Sequence, residues 1–322
     1  MAELARKRRT TETPSPSSLS TRITIAVPTH NRAQLLRATL ASIGGSHMPA
    51  GVEAECLVVD NRSTDDTIGV VAGFARSTTL PTRYVYESGA GSSYARNRAV
   101  KEAAGDFIFF IDDDAVAEPD WVAEMLAEIE RRQLEVACGL VLPRWSIAPP
   151  SWLGPSLYVR LAVHDAAKMA AASSAERETI HNYFSANVGF KRSSFARYGN
   201  FREDLGVTAG NPMSGEDTEL FARIIAQGGA VGFAPSARVH HIIPPERMRR
   251  SYLSSKSYAF GYGSAVAGGR SHNHLDKLVR NALRMMVALA RGDNERAVYH
   301  QLECANFFGY WRGCWDLRRA RR

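Results

Sequence analysis

Three consecutive carboxylates, Asp112, Asp113 and Asp114, directly follow the apolar run FIFFI. Adjacent carboxylates repel one another where water is scarce, so either open solvent or a positive charge must stabilise them. Mg²⁺ and Mn²⁺ prefer oxygen ligands and commonly bind one or two carboxylates together with phosphate oxygens. Because side chains i and i+2 of an extended chain face the same side, we expect Asp112 and Asp114 to converge and Asp113 to point away. The alternative is a helix cap followed by loop carboxylates.

A second acidic pair, Glu216 and Asp217, begins the segment GEDTELFARI, whose apolar spacing predicts an amphipathic helix. A carboxylate at a helix N-terminus is kept ionised by the positive end of the helix dipole. The same composition is also typical of an ordinary helix start, so this pattern alone leaves a structural role open. Two adjacent histidines, His240 and His241, end an apolar segment shortly before two prolines, and a structural role is open for them as well.

Alternating strand and helix patterns must position these residues. Strands are predicted at 23–27, 54–60, 83–87 and 106–111, and a helix-like pattern follows each one. Four such units in succession predict a parallel α/β sheet with helices on both faces. The polar clusters PTHNR, DNRSTDD, ESGAGSSYARN and DDD follow the four strands. Because ligands bind beyond the carboxyl ends of parallel strands, an active site is expected at that edge.

The second half of the chain is less regular. The stretch PRWSIAPPSWLGPSLY, rich in proline and tryptophan, predicts irregular structure, and SANVGF at 185–190 predicts a strand. The helix that begins at GED is expected to end at Gly228. The segment AVGFAPSARVHHII predicts a strand, a turn and another strand, and helical patterns dominate from residue 247 onward.

Composition limits the class of protein. With 322 residues and 45% hydrophobic content, the chain can form one large core, or one core with an appended subdomain. No uninterrupted apolar run of about 18 residues occurs, which argues against a transmembrane helix. Residues 1–20 lack the apolar region of a secretory signal and predict a disordered tail. The four cysteines have no CxxC spacing, which favours reduced thiols in a cytoplasmic protein.

The net charge of +7 is concentrated near the C-terminus, where residues 245–322 carry 15 basic and 6 acidic residues. Such a region could meet an anionic membrane, an acidic partner or nucleic acid. The stretches DKLVRNALRMMVALAR and NFFGYWRGCWDLRRARR combine apolar and basic residues, which is compatible with peripheral membrane contact and favours it over nucleic-acid binding. Packing on the catalytic domain or on a second subunit, as in a homodimer, is the alternative. No nucleic acid partner is expected, because no recognised binding module is present.

Five segments in order carry a family resemblance: TIAVPTHNR, CLVVDNRSTDDT, GAGSSYARNRAVKEAAGDFIFFIDDDA, NVGFKRS and GEDTEL. Together they resemble the family 2 inverting nucleotide-sugar glycosyltransferases, which have the GT-A fold, a Rossmann-like and mostly parallel sheet flanked by helices. The resemblance implies a catalytic domain at 21–245, with a nucleotide-sugar half at 21–115 and an acceptor half at 116–245. A helical, basic region at 246–322 would follow.

The resemblance also implies which residues bind the donor. The nucleoside pocket would be lined by Pro28, Thr29 and Asn31, with Arg32 near the phosphates. Asp60 would accept a hydrogen bond from the base, usually uracil, as suits an acceptor-only carboxylate. Arg62 stands where the family usually has glycine. The remaining donor-binding residues would be Gly89, through close backbone approach, Arg96 and Asn97 at the diphosphate or ribose, Asp112 at the ribose or sugar, and Asp113.

The implied chemistry is one displacement at the anomeric carbon. Asp217 would be the base that deprotonates the acceptor, with Glu216 as its neighbour, and Asp114, Asp112 and His241 would hold Mg²⁺ or Mn²⁺. The donor would be a UDP-sugar, and the acceptor a glycan, a lipid-linked molecule or a small natural product.

Two other functions are alternatives on the same residues. A nucleotidyltransferase would usually carry a glycine-rich phosphate loop after its first strand, and PTHNR is not glycine-rich. A non-catalytic nucleotide- or carbohydrate-binding protein would not need the acidic pair at 216–217.

Overall fold

The computed structural model describes residues 20–206, 214–268 and 275–320. Within these ranges, eight strands form one sheet. The strands are β1 (Thr21–Thr29), β2 (Val52–Asp60), β3 (Thr82–Tyr86), β4 (Phe107–Ile111), β5 (Ala115–Ala117), β6 (Val136–Trp145), β7 (Asn187–Lys191) and β8 (Val231–Ile243). Their spatial order is β3-β2-β1-β4-β7-β6-β8-β5.

Helices surround the sheet and form the C-terminal region. They are α1 (Ala33–Gly44), α2 (Thr67–Ser77), α3 (Ser92–Glu102), α4 (Trp121–Arg132), α5 (Ala166–Ala171), α6 (Ser174–Arg177), α7 (Ser193–Tyr198), α8 (Glu216–Ala226), α9 (Arg250–Val266), α10 (Leu275–Ala290) and α11 (Asn294–Ala320). Short 3₁₀ helices lie at Pro155–Leu161, Ile180–Asn182 and Pro245–Met248.

The N-terminal half of the sheet is parallel and the other half is mixed. Strand β1 pairs in parallel with β2 and β4, whereas β7 runs antiparallel to both β4 and β6. Ile25 and Ala26 on β1 are fully buried in different clusters, one on each face of the sheet. This burial on both faces explains why the strand is continuously apolar. In register, Thr29 lies opposite Asp60, so the ends of β1 and β2 meet at one edge.

The predicted α/β sheet with helices on both faces is confirmed, and each of the four predicted N-terminal strands is present. Two details of the second half were predicted wrongly. Strand β6 was missed, and the segment 231–243 forms one strand instead of a strand, a turn and a strand. Gly139 pairs with Ala234 and Leu140 with Arg238, so three residues beginning at Pro235 bulge out of the ladder. Proline cannot donate to a sheet hydrogen bond, which makes a bulge its natural place.

The C-terminal helices pack against each other and against the rest of the chain. Helix α11 runs along α9, and two glycines permit close contact, because a Cβ on Gly261 would meet the backbone of Asn306 and one on Gly309 that of Tyr258. Helix α10 packs on α11. Of the helices in the described ranges, none combines the length and apolar character needed to cross a bilayer. The predicted tail at 1–20 lies outside the described residues except for Ser20.

Candidate active site

The loop after β1 is tied to the aspartate triplet. Thr29 Oγ1 donates to Asp113 Oδ2 over 2.8 Å. Arg32 Nη1 lies 2.9 Å from Asp113 Oδ1 and 2.8 Å from Asp114 Oδ2. One guanidinium therefore neutralises two of the three adjacent carboxylates. A positive charge, and not open solvent, stabilises the buried part of the triplet, as the run of carboxylates after an apolar strand required.

The expected orientation of the triplet was wrong. Strand β4 ends at Ile111, and Asp113 and Asp114 lie in a turn, so the alternation of an extended chain does not apply. Asp113 and Asp114 are buried and share Arg32, whereas Asp112 is partly exposed and contacts Arg96 Nη2 at 3.3 Å. Burial raises the pKa of Asp113, against the attraction of Arg32, and the Asp114 carboxylate adds to the rise.

Asp114 is the most strongly paired carboxylate of the site. Arg247 Nη2 lies 2.7 Å from its Oδ2, and His241 Nε2 lies 3.1 Å from its Oδ1. Burial opposes ionisation, but contact with His241 and the guanidinium charges of Arg247 and Arg32 outweigh it and hold the pKa of Asp114 well below the usual range. The group is therefore a permanent anion. Arg247 lies in the 3₁₀ turn after β8, and sequence reasoning missed it because no motif marks it.

The two adjacent histidines face opposite sides of β8, as alternation along a strand requires. His241 is buried opposite Ala115 and lies beside the triplet. His240 is more exposed and contacts Glu118, with Nε2 3.0 Å from Oε1. Of the two, His241 is thus the one that the fold brings to Asp114.

The donor atoms around Asp114 suit a divalent cation held by two protein ligands. Arg247 Nη1 lies 2.8 Å from His241 Nε2, and because a guanidinium only donates, that nitrogen presents a lone pair. Oδ1 of Asp114 is buried and accepts no hydrogen bond. Among the described residues, no three His, Cys, Asp or Glu side chains come together as a metal site. Asp114 and His241 are the residues that would hold such an ion, and phosphate oxygens of a bound ligand would supply further ligands.

Another cation, Lys256 on α9, lies close enough to Glu216 and Asp112 for their charges to act on it. Burial, followed by the positive charge of Arg247, lowers the pKa of Lys256, and the carboxylates of Glu216 and Asp112 act in the opposite direction. Lys256 forms no ion pair or hydrogen bond within the part of the chain that the structure describes. Besides Arg96, which contacts Asp112, three cationic side chains from separate elements lie near the triplet: Arg32 and Arg247 contact Asp114, and the charge of Lys256 interacts with Asp112. This is an arrangement that favours an anionic ligand.

Asp60 is the last residue of β2 and is buried. Its Oδ1 accepts from the Ser63 N–H at 2.8 Å and its Oδ2 from the Tyr84 hydroxyl at 2.7 Å. Each oxygen retains one lone pair. Arg62, in the position where the family usually has glycine, adopts φ 66°, the left-handed conformation that glycine takes readily. The loop therefore turns as a glycine would allow, at some cost in backbone strain.

Asn31 and Asn61 connect the loops around this pocket. The Asn31 N–H donates to Ser63 Oγ at 2.9 Å, and its Oδ1 accepts from the Thr64 N–H at 2.7 Å. Asn61 accepts from the Gly91 N–H at 2.8 Å and donates to the carbonyl of Gly89. A Cβ at Gly89 would collide with the ring of Tyr94, which explains the glycine. Pro28 is half-buried at the end of β1, so these predicted residues line one edge of the sheet.

Arg96 and Asn97, adjacent on α3, have different surroundings. Arg96 is buried and donates to Glu216 Oε1 at 2.7 Å while its Nη2 contacts Asp112. Asn97 uses both ends of its amide on the backbone of Phe201, at 2.9 and 3.0 Å. The structure thus brings Arg96 to the carboxylates and uses Asn97 to hold the Phe201 loop.

The two carboxylates at the start of α8, Glu216 and Asp217, differ in their hydrogen-bond partners and in their surroundings. Glu216 is buried and accepts from Ser92 Oγ and Arg96 Nη1, both at 2.7 Å. Asp217 is partly exposed, and it accepts from the Thr218 N–H at 2.7 Å and from the Ser185 N–H at 3.3 Å. Burial and the adjacent Glu216 raise the pKa of Asp217. A carboxylate with a raised pKa is a stronger base than an ordinary aspartate.

Comparisons with known proteins identify the family of the chain. A family model described as glycosyl transferase family 2 matches residues 24–199. The succinoglycan biosynthesis protein ExoM of Rhizobium meliloti is 25% identical over 240 residues, which cover 74% of this chain and 72% of that protein. The glucosyl-dolichyl phosphate glucuronosyltransferase of Haloferax volcanii is 28% identical over 178 residues, which cover 55% of each chain.

Solved structures share the fold. A mannosyltransferase from Pyrobaculum calidifontis, in complex with GDP-Man and Mn²⁺, superposes with a TM-score of 0.66 at 18% identity, covering 93% of this chain and 88% of that one. TarS residues 1–349 of S. aureus, in complex with UDP, superpose with a TM-score of 0.50 at 18% identity, covering 93% and 92%. The GT-A fold expected from the sequence motifs is confirmed.

Proposed function

The chain belongs to glycosyl transferase family 2, and on that premise we propose that it transfers a sugar from a UDP-sugar to an acceptor hydroxyl by one inverting displacement assisted by Mg²⁺ or Mn²⁺. The observation that carries the proposal is the meeting of three cations and the aspartate triplet at one edge of the sheet, joined through Arg96 to the acidic pair of α8. Family membership favours sugar transfer over nucleotidyl transfer and over binding alone.

The donor would lie along the edge where β1, β2 and β4 end. The free lone pairs of Asp60 suit the imide N–H of uracil. Thr29 and Asn31 already hold the surrounding loops, and Pro28 would contribute its half-buried ring to the pocket. The diphosphate would be received by Arg32, Arg247 and Lys256, with Asp112 and Asp113 close by.

Asp114 and His241 would hold the divalent ion. When bound, the ion neutralises charge that develops on the leaving diphosphate. Arg32 and Arg247 would also neutralise charge on the diphosphate, because guanidinium groups donate paired hydrogen bonds to phosphate oxygens. On donor binding, Arg247 would exchange its bonds to Asp114 and His241 for bonds to the phosphates, which frees both ligands for the ion.

Asp217 would take the proton of the acceptor hydroxyl. As that oxygen forms a bond to the anomeric carbon, the bond from this carbon to the phosphate oxygen breaks, and the diphosphate leaves on the opposite face. The configuration is thereby inverted. Glu216 is engaged by Ser92 and Arg96, so its role is to position Arg96 and to raise the basicity of its neighbour.

The acceptor class can be proposed from the relatives. One relative is named for succinoglycan biosynthesis and another for glucosyl-dolichyl phosphate, and both names include a sugar-bearing molecule. A sugar hydroxyl is therefore proposed as the nucleophile. We also propose a division into a catalytic domain at 21–245 and a helical region at 246–322, because helices α9 to α11 follow the last strand.

Thermal unfolding with nucleotides tests the donor assignment, because a ligand that binds only the folded state raises Tm. UDP with Mn²⁺ should raise Tm more than GDP or dTDP at equal concentration, and EDTA should remove most of the effect. A stronger response to GDP would overturn the choice of nucleotide. With a UDP-sugar as substrate, NMR of the product should show the opposite anomeric configuration to the donor.

A further inference from the structure

Helix α10 carries its apolar residues on the outside. Its exposed fractions are Leu275 69%, Val279 53%, Leu283 53%, Met286 54%, Val287 49% and Leu289 53%. At about 100° per residue these positions share one side of the helix. Six large apolar side chains in one exposed stripe exceed the scattered apolar residues that are normal on a protein surface.

The side of α10 that faces the protein combines the small residue Ala288 with polar side chains. Asn281 is buried and its Oδ1 lies 2.9 Å from His300 Nδ1 on α11. One turn earlier, Lys277 pairs with Glu303 at 3.1 Å. An ordinary surface helix packs its apolar stripe inward and exposes its polar side. Helix α10 buries only Asn281 and Ala288, and its large apolar side chains remain exposed among the described residues.

Basic side chains line one border of the stripe. By helical spacing, Arg280, Arg284 and Arg291 follow one another along the same edge of α10. Arg284 and Arg291 also line an open groove of about 820 Å³, together with Leu283, Val287 and Arg296. Arg284 and Arg291 form no ion pair within the described ranges. The border is therefore a row of three guanidinium groups next to an apolar surface, in which Arg280 is paired with Asp276, while Asp293 and Glu295 also line the groove.

From this combination we infer that α10 is a peripheral membrane-binding helix, which places its apolar stripe in the interfacial region of an anionic phospholipid bilayer while Arg280, Arg284 and Arg291 contact lipid phosphates. Apolar burial and attraction to anionic lipids are the two contributions that hold such a helix at a membrane. Helix α11 adds exposed Trp311 and Trp315, with Arg319 stacked over the Trp315 ring at 4.7 Å. Tryptophan is enriched at membrane interfaces.

The charges favour a bilayer over a second copy of the chain. In a symmetric dimer built on the stripe, the arginine border of each copy would face α10 of the other copy. The one acidic residue of α10 is Asp276, and it already pairs with Arg280 at 2.8 Å. Like charges across such an interface are costly. A phosphate-rich surface complements the whole border.

Vesicle flotation of the full chain tests the inference, with phosphatidylcholine vesicles that contain or lack phosphatidylglycerol. The wild type should float with the anionic vesicles, and less so at high salt. Val279→Glu/Met286→Glu should reduce partitioning at least tenfold, whereas Ile68→Glu, at a site of similar exposure (59%) on α2, should not. Each of Arg280→Gln, Arg284→Gln and Arg291→Gln should reduce partitioning on the order of fivefold. Circular dichroism and Tm would verify that each variant folds.

Three results would overturn the inference. The first is a wild type that does not float with anionic vesicles. The second is an Ile68→Glu loss equal to that of the α10 variant, which would assign the binding to general surface properties. The third is a dimer in sedimentation equilibrium that Val279→Glu/Met286→Glu dissociates without any vesicle binding, which would assign the stripe to a second copy. If the double variant fails to fold, the arginine variants decide, because their side chains are exposed. None of these measurements depends on the proposed donor or metal.

Discussion

Arg96 on α3 and Glu216 on α8 form a buried ion pair, with Nη1 2.7 Å from Oε1. The same guanidinium contacts Asp112 at 3.3 Å. One side chain thus connects the aspartate triplet, proposed to face the donor, with the acidic pair proposed to deprotonate the acceptor. The position of the donor site relative to the proposed base therefore depends on Arg96.

Replacing Arg96 should destabilise the fold. Arg96→Met leaves Glu216 buried without its cation, and loss of one partner of a buried pair costs about 3–5 kcal/mol. Arg98→Met on the same helix breaks a more exposed pair with Glu102 and should cost less than about 1 kcal/mol. Urea unfolding measures both free energies. Equal losses in the two variants would show that the buried pair contributes no more than a surface pair.

Replacing the proposed base should affect turnover and spare donor binding. Asp217→Asn removes the proton acceptor, and kcat should fall about 10²- to 10⁴-fold while the Kd for UDP stays unchanged. Glu219→Gln, a change of another carboxylate in the first turn of α8, should keep most of the activity. A variant Asp217→Asn that turns over at the wild-type rate would place the base elsewhere.

The raised pKa of Asp217 predicts a specific pH dependence. The base must be ionised, so kcat/KM should fall as the pH drops through the raised pKa, at a higher pH than the value of about 3.9 for an ordinary aspartate. The folded state binds this proton more tightly than the unfolded state, so the contribution of Asp217 to stability should decrease as the pH rises through the same window. An acid limb that persists unchanged in Asp217→Asn would have another origin.

The metal proposal predicts an effect on binding that does not require turnover. Asp114→Asn removes the negative charge between Arg32, Arg247 and His241, and the Mn²⁺-dependent part of the UDP thermal shift should disappear. Asp120→Asn, an exposed aspartate at the start of α4, is the control and should retain that part. If EDTA leaves the UDP response of the wild type unchanged, the two arginines and Lys256 suffice for the diphosphate and the ion has no part in donor binding.

Lys256 should contribute to donor affinity without contributing to stability. Lys256→Met removes a poorly solvated ammonium that lies near Arg247, so Tm should stay the same or rise. A hydrogen bond to a charged group contributes about 1.5–3 kcal/mol, so the Kd for UDP should rise on the order of tenfold or more. Lys101→Met, at an exposed position on α3, should change neither quantity. An unchanged Kd in Lys256→Met would remove this lysine from the diphosphate site.

Much of the fold could be predicted from local pattern. The four N-terminal strands are short apolar runs separated by amphipathic helices, and such periodicity depends on residues only a few positions apart. The polar clusters that follow these strands were therefore assigned to one edge before any contact was known. The order of the five motifs was enough to identify the family, and the helix that begins at Glu216 was expected from its composition.

What the sequence alone determined was the type of element and the chemistry at each strand end; only the tertiary structure decided which charges meet. Asp114 pairs with Arg247, which is 133 residues away, and no spacing rule reaches that far. The alternation argument failed for Asp112 because the chain turns after Ile111. The apolar stripe of α10 was visible as a pattern, but its outward direction depends on α11, whose His300 binds the opposite side of the helix. Local propensities act along the chain, whereas these pairings follow from the path of the backbone through space.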